Sequence, residues 1–300
     1  MANRHVLIIG AGRIGQVLAS LIHDGDSDVE VHLWDKNPNI VVGQSPLDEL
    51  VPRASVIFCC TPSWTVRDVL TNILPSLQAQ TAIITLAKGC EATTGKTMAE
   101  VADELLPAEQ PHAVLGGPML AETLQHGHRG IGVVGSTDQR VYALAVALFK
   151  GTRLHIVTDT DPHGVALAGV LKNVYAFLVG VGVGLDWTDE QQRSFFAKAK
   201  HEFLAVGQAI NVSASTMNGP AGIEDFLETA TSPLSHNHHV GEMFGHTGKL
   251  PGECEATISY PTIARRLNGQ HFPLLDMLRA LLVEHQPPTI LNTFLQTTHS

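Results

Sequence analysis

Cysteine is scarce in this chain, and what there is lies wrongly spaced for a metal. Cys59, Cys60, Cys90 and Cys254 are the only four in 300 residues, and no pair has the two-to-four-residue gap of a zinc site. The same count excludes a disulfide-built secreted scaffold and suits a reducing compartment. Charged residues are also few, at 16%, against 44% apolar, as expected of a soluble globular protein with much buried surface. Basic residues are outnumbered: 19 Lys and Arg face 29 Asp and Glu, for a formal charge of −10. That balance, with no basic block, argues against a nucleic-acid partner. An anionic small substrate would have to be held by a few local cations working against the overall field. Low-complexity segments and internal repeats are absent. The opening MANRHVLIIG holds too short an apolar stretch for a secretory signal and runs straight into a strand pattern, so the expected location is cytoplasmic. The length suffices for two domains, each with its own core.

One long apolar run stands out, Gly164 to Leu185, with Lys172 and Asn173 near its middle. Its length would permit a membrane span, but the central Lys-Asn pair and the four interior glycines point instead to a core helix. A lysine in such company either reaches its amine to a surface or stays buried, where loss of hydration disfavours the ammonium. A lysine so tuned can exchange protons near neutral pH.

The N-terminal half reads as a nucleotide platform. His5–Ile9 is a short β-prone run that stops at Gly10, and Gly10-Ala-Gly-Arg-Ile-Gly15 follows, opening a helical pattern through Val17, Leu18, Leu21 and Ile22. In a dinucleotide fold Gly10 makes a tight turn, Gly12 lets backbone approach pyrophosphate, and Gly15 permits close helix–strand packing. The helix start adds unpaired amides and a positive dipole end. A second strand, Val29 to Trp34, ends in Asp35, twenty residues beyond Gly15, where a carboxylate accepts the ribose hydroxyls. That carboxylate would repel a 2′-phosphate, with Lys36 softening the effect, so NAD is expected over NADP. Strand patterns recur at 54–60, 81–86, 112–115, 130–135 and 152–157, with a helix over 65–77. Thr61-Pro62 and Lys88 follow strand ends, where open α/β sheets bind ligands. The turn-rich Thr158–Gly164 makes a natural junction.

Beyond the central run the patterns are helical, over 189–207, 203–210, 260–267 and 274–283, with few strand-like stretches. Between them lies a polar segment, 222–239, with Glu224, Asp225 and Glu228 as carboxylates, Thr229 and Ser235 as hydroxyls, and His236, His238 and His239. Adjacent and alternating histidines point in different directions and no acid is placed to complete a ligand set, so a solvated or substrate-facing loop is expected and no metal.

Taken in order, these motifs resemble the NAD(P)-dependent glycerol-3-phosphate dehydrogenases, from Gly10 to about Pro288. The carriers are Gly10-Ala-Gly-Arg-Ile-Gly15, Leu86-Ala-Lys-Gly89, Gly116-Gly-Pro-Met-Leu-Ala-Glu122, Gly169-Val-Leu-Lys-Asn-Val174, Asp225 through Thr229, and Ser235-His-Asn237. Leu-Lys-Asn-Val inside a long apolar helix is the most specific. The resemblance implies an α/β fold: an N-terminal Rossmann doubly wound sheet (residues 1–160) and an all-helical C-terminal domain (161–300), with catalysis in the cleft between them. It implies Lys172 as acid/base on the substrate oxygen, with Asp225 and Lys88 as further catalytic groups. Cofactor contacts fall to Gly10, Gly12, Arg13, Ile14, Gly15, Asp35, Lys88, Ala121 and His236. Substrate contacts fall to Lys88, Gly117, Lys172, Asp225, Thr229, Ser235, His236 and Asn237. A homodimer is plausible from the apolar helical half, and the expected substrate is a small phosphorylated or anionic molecule.

The departures from the family pattern bear on substrate. Its Ser-Arg-Asn reads Ser235-His236-Asn237 here, and His238 and His239 replace the basic residues usual after it. Arginine grips phosphate with two parallel bonds and a permanent charge, whereas an ordinary histidine is half protonated only near pH ~6.5. Met119 stands where a small hydroxyl residue is expected to face substrate. Glu190 with Ala197-Lys198-Ala199 replaces an Asn…Thr-Arg-Gly pattern, and Pro251 replaces a glutamate before Gly252. These changes leave two other functions open: a dehydrogenase of another small hydroxy acid, or a cofactor-binding module without catalysis.

Overall fold

The structure, a computed structural model, describes residues 4–296; residues 1–3 and 297–300, at the outer ends of the two expected domains, lie outside that range. The chain divides into two compact units, residues 1–88 with 96–166, and residues 89–95 with 167–300.

The first unit alternates strand and helix. In order it contains β1 (His5–Ile9), α1 (Arg13–Gly25), β2 (Glu30–Trp34), α2 (Leu47–Leu50), β3 (Val56–Cys59), α3 (Ser63–Ile73), β4 (Ala82–Thr85), α4 (Met98–Leu105), β5 (His112–Gly116), α5 (Ala121–Gln125), β6 (Gly130–Gly135), α6 (Gln139–Leu148) and β7 (Leu154–Asp159). Among the described residues they form a seven-stranded sheet in the order β2-β1-β3-β4-β5-β6-β7. All neighbours are parallel except β5 and β6. β1, β3 and β4 are buried on both faces, which is why they read as unbroken apolar runs rather than alternating ones. Leu18, Leu21 and Ile22 of α1 pack on one face with Val6, Ile8 and Phe58. Val66 and Leu70 of α3 and Met98 and Val101 of α4 cover Leu7, Ile9 and Ile57 on the other. Strand order reverses direction between β1 and β3, the topological switch point at which such sheets open a crevice for ligand.

The second unit is helical: α7 (Pro162–Gly184, which starts in the first unit), α8 (Asp189–Ala209), α9 (Ala214–Asn218), a π-helical turn Pro220–Glu224, α10 (Asp225–Thr231), α11 (His236–Thr247), α12 (Glu255–Arg266), α13 (Pro273–Leu282) and α14 (Leu291–Gln296). α7 is long and apolar enough to cross a membrane, yet 94% of its most apolar window is buried inside the protein, so it is a core helix. Its glycines explain how closely it packs. A Cβ on Gly180 or Gly184 would run into the carbonyls of His238 and Glu242 on α11, and one on Gly241 or Gly245 into those of Phe177 and Val181. Two Gly-x-x-x-Gly faces thus bring α7 and α11 nearly backbone to backbone.

Three local expectations are corrected. The segment 222–239 is not a loop: Asp225–Thr231 and His236–Thr247 are helices, the latter begun by Ser235, whose hydroxyl accepts from the His238 amide at 3.4 Å. Asn237, Val240, Gly241 and Phe244 of α11 are buried at helical spacing, so the tertiary core overrides the weak helix preference of Asn and His. The separate helices over 189–207 and 203–210 are one, because Gly207 is buried against Met217 without a break. The passage from the first unit to the second falls within α7 rather than at the turn-rich Thr158–Gly164, and the segment Gly89–Gly95 after β4 belongs to the second unit. There the Cys90 amide donates to Ser259 Oγ at 2.9 Å.

Candidate functional site

In the first unit the candidate residues gather at the carboxyl ends of β1 and β2. Gly10 has φ +100° and sits against the end of β3: a Cβ would lie 2.8 Å from the Cys60 carbonyl, so only glycine fits. A Cβ on Gly15 would strike the Gly10 carbonyl, which fixes α1 hard against the turn. Gly12 is the opposite case. Among the described residues nothing lies within 4 Å of a Cβ built there, so the position between two crowded glycines opens onto free space. Asp35 Oδ2 accepts from the Ala11 amide at 2.9 Å, and its Oδ1 accepts from the Asn37 amide at 2.9 Å. The Gly10 amide donates to the Trp34 carbonyl at 2.8 Å. The Gly-rich turn and the acid at the end of β2 are therefore stitched together, and each carboxylate oxygen keeps a lone pair for a diol. Arg13 at the start of α1 pairs with Glu122 of α5, next to Ala121, while Ile14 packs at the edge of the sheet core. These residues fit a dinucleotide: amides for pyrophosphate, space where it must come close, and an acceptor for ribose.

Lys88 and Gly117 also meet. Lys88 Nζ donates to the Gly117 carbonyl at 2.8 Å, and Gly117 adopts φ +90° with a Cβ position 2.5 Å from the Ile131 carbonyl. Met119, expected to face substrate, is instead buried in the sheet core with Ala121 and Leu124. An apolar side chain there answers to packing rather than to substrate chemistry.

In the second unit the decisive cluster is buried. Lys172 is 5% exposed, Asp225 1% and Thr229 1%. Lys172 Nζ donates to Thr229 Oγ1 at 2.7 Å and lies 3.2 Å from Asp225 Oδ1. The Thr229 hydroxyl donates in turn to Asp225 Oδ1 at 3.3 Å. Ammonium, hydroxyl and carboxylate thus form a closed relay in which the hydroxyl accepts once and donates once. The elements that carry it are locked by aromatic packing: Tyr175, one turn after Lys172, meets Phe226 edge-on at 6.3 Å, and Phe226, next to Asp225, stacks on Phe203 at 4.8 Å. The π-helical turn before Asp225 packs so tightly that a Cβ on Gly222 would hit the Met217 backbone. Single π turns inside helices recur at functional sites.

Ser235, His236 and Asn237 open α11 but do different work. Ser235 caps the helix, and Asn237 Oδ1 accepts from the Ala256 amide at 3.0 Å, so it caps α12. His236 is exposed. His238 is buried, with Nδ1 unpartnered among the described residues. Burial pushes its imidazole pKa down, opposed by Glu242 and reinforced by His239.

Profile comparison matches residues 36–142 to the N-terminal part and 161–291 to the C-terminal part of NAD-dependent glycerol-3-phosphate dehydrogenase. A Sphingopyxis alaskensis glycerol-3-phosphate dehydrogenase [NAD(P)+] is 30% identical over 79% of this chain and 77% of its own length. The chain belongs to the NAD(P)-dependent glycerol-3-phosphate dehydrogenase family. A Mycobacterium avium member is 34% identical over 70% of this chain, and that match spans only 61% of the relative's length. In fold, a crystal structure of the Coxiella burnetii glycerol-3-phosphate dehydrogenase superposes with a TM-score of 0.84 at 20% identity, covering 98% of both chains. Within this family member the buried carboxylate Glu202 was not singled out by sequence reasoning. Its oxygens accept from Tyr175 Oη at 2.9 Å and from the amides of Leu274 at 2.9 Å and Leu275 at 3.1 Å. It thereby ties the helix of Lys172 to the start of α13. A glutamate in a helical pattern reads as surface, and only the lack of a capping side chain before Pro273 hinted that one must come from elsewhere.

Proposed function

We propose that this chain interconverts sn-glycerol 3-phosphate and dihydroxyacetone phosphate with NAD(H). The observation that carries the reading is the buried Lys172–Thr229–Asp225 relay. Residues 1–160 serve the cofactor and 161–300 the substrate. The amides around Gly10, Gly12, Arg13, Ile14 and Gly15 and the carboxylate of Asp35 would hold NAD(H), which would supply or accept the hydride. Lys172 holds the proton that the substrate oxygen gains on reduction, and its ammonium stabilises the charge that builds on that oxygen. Asp225 counters the desolvation of the lysine and, through Thr229, fixes its direction. Lys88, with Gly117, offers a second cation to the substrate or cofactor anion. Ala121 adjoins the cofactor side. Ser235, His236 and Asn237 line the phosphate side, where the imidazole of His236 takes the place of a guanidinium. The enzyme is cytoplasmic and assembles as a homodimer in this reading.

The test follows NADH absorbance with dihydroxyacetone phosphate, for the parent chain and Lys172→Ala, and repeats the assay with NADPH. Turnover should be abolished by the substitution while NADH binding persists, and the Michaelis constant should favour NADH. Undiminished turnover by Lys172→Ala would remove the lysine from the reaction; a clear NADPH preference would remove the role given to Asp35. The absence of arginine from 235–239 favours one second reading, a hydroxy-acid dehydrogenase. A panel of 2- and 3-hydroxy acids that outperforms glycerol 3-phosphate would establish it instead.

A further inference from the structure

At the far end of the sheet from the Gly-rich turn, two imidazoles and a carboxylate converge. His5 and Glu30 are the first residues of β1 and β2 and stand in register, as do Leu7 and His32. Alternation along a strand puts Glu30 and His32, two apart, on the same face, and the register brings His5 to that face as well. His5 Nδ1 lies 3.0 Å from Glu30 Oε2, and His32 Nε2 lies 2.8 Å from Glu30 Oε1. The rings stand nearly parallel, 6.4 Å apart with 13° between planes.

Two facts separate this group from an ordinary surface ion pair. The two nitrogens are shut off from water, and each lies at ion-pair distance from a different oxygen of the one carboxylate, so two imidazole nitrogens converge on Glu30 away from solvent. The ligand atoms also lie within 4.8 Å of one another. A tetrahedral ion with bonds of ~2.0–2.1 Å needs edges of ~3.3 Å, so small rotations of these partly exposed side chains would close the group. We infer that His5, Glu30 and His32 form a binding site for a zinc-class divalent transition-metal ion.

The donor set decides the class. Two imidazole nitrogens and one carboxylate oxygen suit Zn²⁺, Co²⁺ or Ni²⁺ and are too nitrogen-rich for Mg²⁺ or Ca²⁺. Three protein ligands leave a coordination position for water. Among the described residues Arg53 Nη2 lies 3.5 Å from Glu30 Oε1; its side chain is 55% exposed and can swing clear. At ~3.3 Å per residue, His5 lies about 16 Å along β1 from Gly10, so the ion takes no part in hydride transfer. It works as a clasp. β2 is an edge strand, only half-buried throughout, and among the described residues pairs with β1 alone. A metal bridging the two strands fastens the strand that ends in Asp35.

The experiment uses the full-length, tag-free chain, stripped with EDTA and titrated with Co²⁺ and then Zn²⁺. One saturating equivalent of Co²⁺ with the intense visible absorption of a four-coordinate ion is expected, displaced by Zn²⁺, together with a rise in the thermal unfolding midpoint on adding Zn²⁺. His5→Gln and His32→Gln should each weaken Co²⁺ binding by at least the ~10–100-fold that even loss of an outer-shell partner costs. Should either fail to fold, Glu30→Gln preserves side-chain shape and must show the same loss. Absence of a saturable Co²⁺ site in the parent chain would overturn the inference, as would equal binding by parent and variants.

Discussion

The chemistry at the level of single residues rests on what a buried ammonium needs. Lys172 is almost wholly excluded from water, and an uncompensated charge there would be expelled or neutralised. Asp225 at 3.2 Å and the Thr229 hydroxyl at 2.7 Å supply the compensation. Asp225→Asn keeps the shape but removes the counter-charge, which would weaken Lys172 in its proposed role of charged proton donor. We expect kcat to fall by roughly 10²-fold, toward the low end of what acid–base groups contribute, with NADH affinity unchanged. Single-turnover reduction monitored at several pH values checks this, and a variant with the parent's rate and pH profile would mean the carboxylate is only structural. Lys172 could be picked out in the sequence because it is the one charge in a long apolar run. Its partners could not be reached from spacing, since Asp225 lies 53 residues further on; they came from resemblance to a family. Met119 shows the reverse failure, an apolar residue given a substrate role by motif position when the sheet core had claimed it.

At the scale of elements, α7, α8, α11 and α13 are joined by contacts that hydrophobic pattern does not encode. Glu202 is the clearest. Burial raises its pKa, while the Leu274 and Leu275 amides and Tyr175 pull it back down. Glu202→Gln would set an amide group against the Leu274 N–H, and the lost acceptor should cost about 1–3 kcal/mol of stability, read as a lower denaturation midpoint with little change in slope. A variant as stable as the parent would show that α13 is held by packing alone. His238 on α11 supplies a pH dependence of definite sign. Burial holds its folded-state pKa below the ordinary value, so below pH ~6.5 the unfolded chain takes up a proton that the folded chain refuses. Stability must therefore drop as pH falls through that window. In His238→Leu the slope of unfolding midpoint against pH should be flatter between pH ~7 and ~5, whatever the absolute shift; an unaltered slope would assign the parent's acid sensitivity to other groups. The strands were legible because parallel strands buried on both faces read as plain apolar runs. Helix α11 was not, because a start of Ser-His-Asn-His-His carries no apolar stripe, and its order comes from glycine contacts with α7.

For the molecule as a whole, two units were foreseeable from the change between alternating and helical patterns, but their composition was not. The excursion of Gly89–Gly95 into the helical unit buries Cys90 in that unit's core and brings its amide to Ser259, 169 positions away in sequence. Net charge is the other whole-molecule property with a consequence. At −10 with histidines neutral, the long-range field repels a phosphorylated substrate. The lysines available to oppose it are few, and Lys172 is buried, where salt screens little. At pH ~8, where an ordinary histidine is neutral, added salt should therefore weaken the repulsion more than it weakens the grip. Capture of dihydroxyacetone phosphate, measured as kcat/KM, should hold steady or rise as NaCl goes from ~20 to ~200 mM, a range over which the Debye length shrinks from about 20 Å to below 10 Å. A family member with arginines on its phosphate side would show the opposite trend, because exposed guanidinium contacts are what salt competes away. A steep fall here would mean that exposed cations other than those named govern substrate entry, and that His236 is not the group that replaces arginine.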